Sequence, residues 1–475
     1  MQTEHEERIL TGLTRRRLLA SAGIGGLGAT ILAACGTATM APAAETEAKE
    51  EMAEEKKAEE APAAEEVTIR YYSWFSERDL GNVETVMLNP FAEANPGATV
   101  ELVVAPGSLV GQGIELTTML AGGVLVDVFM CLAPPLYVRN GLVQPLDDLI
   151  KRDNYDMSQF ARDGRTTFSS FEGNVYGLTT YHHGEAIALL YNRQLFTDAG
   201  VDEPSEDWAD SWTWDEFRAT MQQLTKESGG KYTQYGLDRV GINYYPNTPM
   251  LWEGAWISDD FQSITCDSPE VIEAYESYIA LQLQDRSWPS RDEANENLGE
   301  PQRGFTHFTL GQTGVIKMGS WQLGGYRDTT DIDWAFTPFP KAAVSLPEFK
   351  IWGYGVGTQS EATDLAWEFV KFHIPEDRWA LLTSNIPARL EGAEKFLRDL
   401  YQERPGVRVD TFVNSLPLGG NGGDPALVTS AWPRMLEEAV RPLWGDMIAG
   451  TVAPADGLKN VKPILENILA EEAAK

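Results

Sequence analysis

The amino-acid sequence predicts an α/β fold, a largely parallel sheet covered by helices, in a chain too long for one hydrophobic core. Three observations carry this reading. Segments of period-two hydrophobicity alternate with segments of helical periodicity in short units, the pattern of strands joined by crossover helices. Hydrophobic residues make up 43% of the chain and charged residues 23%, the balance of a soluble globular protein. The length, 475 residues, exceeds what a single core sustains, so two or more folding units are expected.

The amino terminus reads as an address. Glu4, Glu6 and Glu7 stand against Arg8, Arg15, Arg16 and Arg17, and an uncharged stretch rich in Ala, Gly and Leu follows over 18–34. With Gly23, Gly25, Gly26 and Gly28 in it, this stretch suits the apolar region of an export signal better than a membrane span. Thr14-Arg15-Arg16-Arg17-Leu18-Leu19 resembles a twin-arginine export signal. Leu32-Ala33-Ala34-Cys35 resembles a bacterial lipobox, in which cleavage precedes Cys35 and its thiol is lipidated. Residues 35–66 then form a tether: Glu45 to Glu66 holds ten Glu and three Lys with no aromatic residue, so it cannot bury a core. As a flexible coil such a tether spans about 30 Å.

The folded body begins at Val67. Val67 to Tyr72 alternates with period two and predicts a strand. Glu84 to Ala94 has helical spacing and stops at Asn95-Pro96-Gly97, a turn signal. Thr99 to Val104 predicts a second strand, Gly113 to Ala121 a helix, and Val126 to Met130 a third strand. Thr213-Trp214-Asp215-Glu216 has the spacing of a capping box, opening a helix to about Lys226. Leu365, Ala366, Phe369, Val370 and Phe372 form one apolar helical face. No internal repeat of fixed period is present.

Composition excludes several functions. A formal net charge of −33 repels phosphate backbones, so no nucleic-acid partner is expected. Three Cys rule out a disulfide-dense scaffold and a four-thiolate zinc site, and five His leave little for a multi-metal centre. The chain has no Gly-x-Ser-x-Gly elbow, no phosphate-binding Gly-x-x-x-x-Gly-Lys-Ser/Thr loop and no His-Glu-x-x-His. It is therefore read as a non-enzyme without cofactor or metal.

Several segments, in order, resemble the family-1 extracellular solute-binding proteins of carbohydrate ABC importers. They are Asn95-Pro96-Gly97; Gly173-Asn174-Val175-Tyr176-Gly177-Leu178 with Leu190-Tyr191-Asn192-Arg193-Gln194-Leu195-Phe196; and Trp212-Thr213-Trp214-Asp215-Glu216-Phe217. Phe308-Thr309-Leu310-Gly311-Gln312 through Gly319-Ser320-Trp321, Phe336-Thr337-Pro338-Phe339-Pro340, Trp367 to Phe372 and Ile386-Pro387-Ala388-Arg389 complete the series. Cys131, Leu132 and His182-His183 depart from the general pattern. The resemblance implies a periplasmic-binding-protein-like fold, two lobes of mixed sheets flanked by helices that close by a hinge over a sugar. It implies a first lobe of 67–185 plus about 353–388 and a second of 186–352 plus about 389–475. The lobe crossings are placed near Glu185 and near Trp352–Gly355. The implied partners are a carbohydrate ligand, the permease subunits of an importer and, through the lipid, the outer face of the cytoplasmic membrane; a monomer is expected.

A sugar offers hydroxyls at its edge and C–H faces above and below, so its site needs flat apolar platforms and short polar groups. In open α/β sheets ligands sit beyond the carboxyl ends of strands, which selects Trp74 and Tyr181. The family resemblance adds Trp321, Trp352, Tyr354 and Arg389. Trp252, Glu253 and Trp256 lie in a Gly-flanked loop, where a buried helix residue is not expected. Asp127 ends a hydrophobic run and is a candidate for sugar hydroxyls, although the family more often uses an Asp there to tie down backbone. Trp367 and Trp379, within helical runs, read as core.

Three further readings stay beside this one. A secreted glycoside hydrolase needs a pair of carboxylates, which 71 Asp and Glu residues supply in number. Tyr244-Tyr245 is similar to the tyrosine pair of iron-binding periplasmic proteins. An interaction lipoprotein without a small ligand is a third possibility. Cys131 and Cys266 are expected reduced, one in each lobe.

Overall fold

The computed structural model describes residues 66–474 except 74, 76–79, 105–115, 121, 132, 161–168, 187, 242–244, 259–260, 302–304, 330, 375–377, 379–381, 383–385, 405, 416–417 and 419–428. Of 180–186 and 349–352 only the backbone is described. Residues 63–475 form one compact unit. The export signal, Cys35 and the tether, together with Trp74, Tyr244 and Trp379, lie outside the described residues.

Two sheets organise this unit into two α/β lobes. The first contains β1 (Val67–Ser73), β2 (Ala98–Val104), β3 (Val128–Cys131), β4 (Ser169–Phe171), β5 (Asn174–Ala186), β11 (Glu348–Val356) and β12 (Ile386–Pro387). Its strand order is β12-β5-β11-β3-β1-β2, with β4 on β5. The second contains β6 (Ala188–Asn192), β7 (Lys226–Ser228), β8 (Lys231–Leu237), β9 (Thr313–Met318) and β10 (Trp334–Thr337), in the order β10-β6-β9-β8-β7.

The strands expected at 67–72, 99–104 and 126–130 are β1, β2 and β3, and the first is parallel to both others. The expectation of a largely parallel sheet needs correction. β11 is antiparallel to both β3 and β5, because it enters from the opposite lobe and runs back between strands laid down earlier. The helix expected over 84–94 is continuous with Leu80–Val83 and Glu84–Leu88 and closes with α1 (Asn89–Ala94). It stops where Gly97 takes φ +90° and the Asn95 side-chain amide donates to the Phe91 carbonyl at 2.9 Å. Residues 116–120 are helical, inside the stretch expected at 113–121.

The capping box at Thr213 is formed. Glu216 N donates to Thr213 Oγ1 at 3.2 Å and Thr213 N to the Glu216 carboxylate at 2.8 Å, opening α2 (Trp214–Leu224). Later come α3 (Pro269–Leu283), α4 (Thr363–Phe372), α5 (Leu390–Leu400) and α6 (Pro454–Ala473).

Alternation sorts each strand's residues between two cores. Ile69, Tyr71, Val128, Met130, Tyr354 and Val356 meet Trp367, Phe369 and Val370 of α4, whereas Tyr72, Phe129 and Cys131 face the other way. In the second sheet Leu189, Tyr191 and Val315 pack on α2, and Leu190, Ile316 and Phe336 on Leu397 of α5. A helical layer built on Tyr275, Ile279, Leu458, Val461 and Leu465 completes the second lobe. Trp367 is core, as expected, and its indole N–H donates to Asp153 at 2.7 Å. Among the described residues no helix is long and apolar enough to cross a membrane.

Candidate functional site

Strand register builds one edge of the site. The parallel strands β1, β2 and β3 end together at Ser73, Val104 and Cys131. Gly353 of β11 pairs with Cys131, Trp352 pairs with Tyr181, and Tyr181 pairs in turn with Pro387 of β12. Tyr181 and Trp352 therefore stand side by side at the carboxyl-end rim of the first sheet. Arg389 follows two residues after Pro387, at the start of α5.

Beyond this rim β5 and β11 continue as a two-stranded ribbon, His182 to Ala186 against Ile351 to Glu348. At its far end the chain passes into β6 at Ala188. The return crossing lies earlier than Trp352–Gly355. β10 ends in the second sheet at Thr337 and β11 already pairs in the first at Glu348, so 352–355 are interior to a strand. Asn247, in the 3₁₀ turn Tyr245–Trp252, donates its amide N–H to buried Glu348 at 2.6 Å.

The second lobe contributes Trp321. β9 ends at Met318, and Gly319 leads into a 3₁₀ turn, Ser320–Gln322, packed against β5. The Trp321 ring lies on Gly319 so closely that a Cβ there would meet it at 2.4 Å. Gln322 returns its side-chain oxygen to the Gly319 N–H at 3.0 Å, which holds the turn. Trp321 is 41% exposed, and it is the one exposed tryptophan among the described residues. An exposed indole set against a glycine beside the interlobe strands offers a sugar ring an apolar surface.

Other expected site residues sit elsewhere. Trp252 is buried against Trp214, ring centroids 4.7 Å apart at 66°, in the core beneath α2. Trp256 is buried between Tyr275 and Trp432, its indole N–H donating to the Pro246 carbonyl at 2.9 Å. The loop that carries them folds inward because its 3₁₀ turn packs on α3. Glu253 is exposed at the bend between them, with φ +59°. Tyr354 is fully buried, its hydroxyl 2.8 Å from Ser73 Oγ. Asp127 takes the backbone role: one oxygen accepts from Arg70 N at 2.7 Å, the other from Ser360 Oγ at 2.6 Å. These four side chains are held by protein groups, so Trp252, Trp256, Tyr354 and Asp127 are corrected from platform or rim to packing and tie-down. Ser73, Asn247 and Glu348 escaped the sequence reading, since their partners lie 101 to 281 residues away.

The metal and enzyme readings find little. His182 and His183 are adjacent on β5, where their backbones pair with Ile351 and Lys350. Among the described residues no three His, Cys, Asp or Glu side chains are grouped to hold a metal. Buried Asp238, just past β8, is pushed up to about 6 by desolvation, although it accepts a hydrogen bond from Val240 N at 3.1 Å. Cys131 and Cys266 are buried and form no disulfide, and burial pushes the Cys266 thiol up to about 12.

Comparison with known proteins bears on this site. The sequence profile of the bacterial extracellular solute-binding protein family matches residues 36–374. Binding proteins of Brucella abortus are 27% identical over 198 residues, covering 40% of this chain; the match spans 44% of their own length. Among solved structures, an ABC substrate-binding protein from Listeria monocytogenes in complex with cycloalternan superposes with a TM-score of 0.70 at 20% identity, covering 85% of this chain and 99% of that one. A maltose/maltodextrin-binding domain from Bdellovibrio bacteriovorus bound to maltotriose gives 0.64 at 16% identity, covering 86% and 100%. A sugar transporter protein from Rhizobium etli in an open conformation gives 0.62 at 19%, covering 85% and 99%.

Proposed function

The chain belongs to the bacterial extracellular solute-binding protein family, and from that premise we propose that it is a lipid-anchored receptor that captures a mono- or oligosaccharide outside the membrane and delivers it to an ABC importer. The observation that carries the sugar reading is Trp321, an exposed indole pinned on Gly319 beside the strands that join the lobes. The relatives of like fold that hold cycloalternan and maltotriose support the same ligand class.

The mechanism is closure about the β5–β11 ribbon. Open and closed states exchange, and a sugar that touches both lobes favours the closed one by the free energy of the contacts made only there. Trp321 offers the second lobe's platform; the Tyr181–Trp352 rim, Trp74 and Arg389 offer the first lobe's side. Cleavage before Cys35 and lipidation of its thiol would hold a monomeric body on the outer face of the membrane, near the importer's permease subunits. The family is one of binding proteins, and the glycosidase and iron readings find no support in the described residues.

A tryptophan-fluorescence screen of sugars with product analysis tests the proposal. A spectral shift without product is expected. Product formation would make the protein a glycosidase, and silence across all sugars would favour an interaction lipoprotein.

A further inference from the structure

Between the lobes lies a cavity of about 550 Å³, and Trp321 is not part of its wall. The first lobe supplies Arg139, at the end of the helix Pro134–Arg139, and Phe171 and Glu172, where β4 turns into β5. The second supplies Phe261, in the hairpin closed by the Ile257–Ile264 bridge, the pair Thr429–Ser430, and the last turns of α6. Each phenylalanine is rooted in its own lobe. Phe171 packs against the cluster of Phe129 and Tyr137, and Phe261 against that of Tyr275 and Leu465. Arg139 and Glu172 pair at 3.6 Å with both side chains exposed, so the cavity is open to solvent.

Backbone strain gathers at the same place. Glu172 and Gly173 take φ +49° and +85° as the two-residue turn between β4 and β5, where Asn-Gly is the favoured pair. Phe261 takes φ +60°, a conformation that bulky side chains rarely adopt. Its amide donates to the Ser258 carbonyl at 2.8 Å, and Ser258 N donates to the Ser263 carbonyl at 2.9 Å, so the hairpin holds it there. Among the described residues five other than glycine have positive φ, and one from each lobe lines this cavity. Strain of this kind persists where the surrounding structure holds a side chain in place for a task.

The wall combines the two kinds of surface a sugar needs. The phenylalanine rings, with Ile264 and Leu469, suit its C–H faces, and Gln262, Thr429 and Ser430 suit its hydroxyls. Glu172, Glu466 and Glu472 stand against one cation, Arg139, a balance that disfavours a carboxylate or phosphate on the ligand. We propose that this cavity is a second sugar-contacting region between the lobes, with Phe171 and Phe261 as its platforms, and that the ligand is an uncharged oligosaccharide. Because Trp321 lies outside the wall, a ligand that uses both surfaces must be longer than one ring. This extends the carbohydrate reading of Trp321 and rests on it.

Calorimetric titration of the exported protein tests this with glucose, maltose and maltotriose, with mannose, mannobiose and mannotriose, and with trigalacturonate as the acidic probe. In the parent, affinity should rise from one ring to three. Phe171→Ala and Phe261→Ala should each cut trisaccharide affinity about tenfold, the effect of losing one aromatic contact, and leave monosaccharide affinity unchanged. Trp321→Ala should weaken sugars of every length. Phe171→Leu and Phe261→Leu keep an apolar root and remove the flat ring; they should weaken the trisaccharide as well, and they replace an alanine variant that fails to fold. A parent that binds a trisaccharide, with both phenylalanine variants binding it equally well, overturns the cavity's role and leaves the carbohydrate reading standing. Trigalacturonate bound as tightly as the neutral trisaccharides overturns the uncharged ligand. A parent that binds none of these sugars overturns the carbohydrate reading and this extension of it together.

Discussion

The side-chain amide of Asn247 donates to the carboxylate of Glu348 across 2.6 Å, and both residues are buried where the chain re-enters the first sheet. The bond ties a turn of the second lobe to the first residue of a strand that belongs to the other lobe. Asn247→Ala removes a donor from a buried carboxylate, so unfolding free energy should fall by about 1–3 kcal/mol. Glu348→Gln, which preserves an acceptor, should cost less. Urea denaturation of both variants checks the order; equal stability for Asn247→Ala and the parent would mean the bond holds nothing.

The platform makes a matched set of expectations. Trp321→Ala should weaken sugar binding by about 1–3 kcal/mol, the range for an aromatic anchor at a packed site. Gly319→Ala should weaken it too, because the new Cβ occupies the space of the ring. Trp74→Ala should match Trp321→Ala and be energetically coupled to it. Trp367→Ala is the control: as a core truncation it should lower stability by roughly 3–5 kcal/mol while sparing the affinity of the folded fraction. Calorimetric titration decides, and parental affinity in Trp321→Ala would put the site elsewhere.

Asp238 makes stability depend on pH. Its pKa is raised by burial from the ordinary value of 3.8 to about 6, so the folded state holds the proton more tightly than the unfolded one. This contribution, about 3 kcal/mol, is fully present below pH 4 and is lost as pH rises through 6, so none of it remains at neutrality. Asp238→Asn should therefore raise the melting temperature at pH 7.5 and change it little at pH 4. A gain of the same size at both values would exclude the carboxylate as the cause.

Closure should be visible in solution. Small-angle scattering at saturating sugar should report a smaller radius of gyration than without it. An unchanged radius would argue that the ribbon between the lobes does not act as a hinge.

Anchoring is tested at Cys35. Cys35→Ser should release the protein from membranes in detergent partitioning, since the motif has one thiol to acylate. Arg15→Lys with Arg16→Lys should stop export; normal export of that double variant would point to the general secretory route.

Residues 67–130 were the most legible part of the fold, because β1, β2, β3 and the helix before Gly97 depend on local periodicity and one turn. The capping box at Thr213 was legible for the same reason. β11 was not: its antiparallel place between β3 and β5 is set by pairing with strands more than 160 residues upstream. Family order located Trp321, yet its dependence on Gly319 is a contact between ring and backbone that no pattern of residue types reveals. Trp252 and Trp256 look exposed in a Gly-flanked loop, and only the tryptophans and tyrosines of distant helices turn them inward. Tyr354 and Asp127 share that lesson, since their partners Ser73 and Ser360 are remote in sequence.

The placement of β11 also dictates an order of events during synthesis. When β5 leaves the ribosome, the strand that must lie between it and β3 has not been made, and the whole second sheet intervenes. At 5–20 residues per second the unfinished first sheet waits roughly ten to thirty seconds with bare edges. The second sheet is then the first that can complete, although its lobe still waits for α5 and α6, and the first sheet closes once β11 and β12 are made. A chaperone that shields the early strands would act within that interval, before residue 348 emerges.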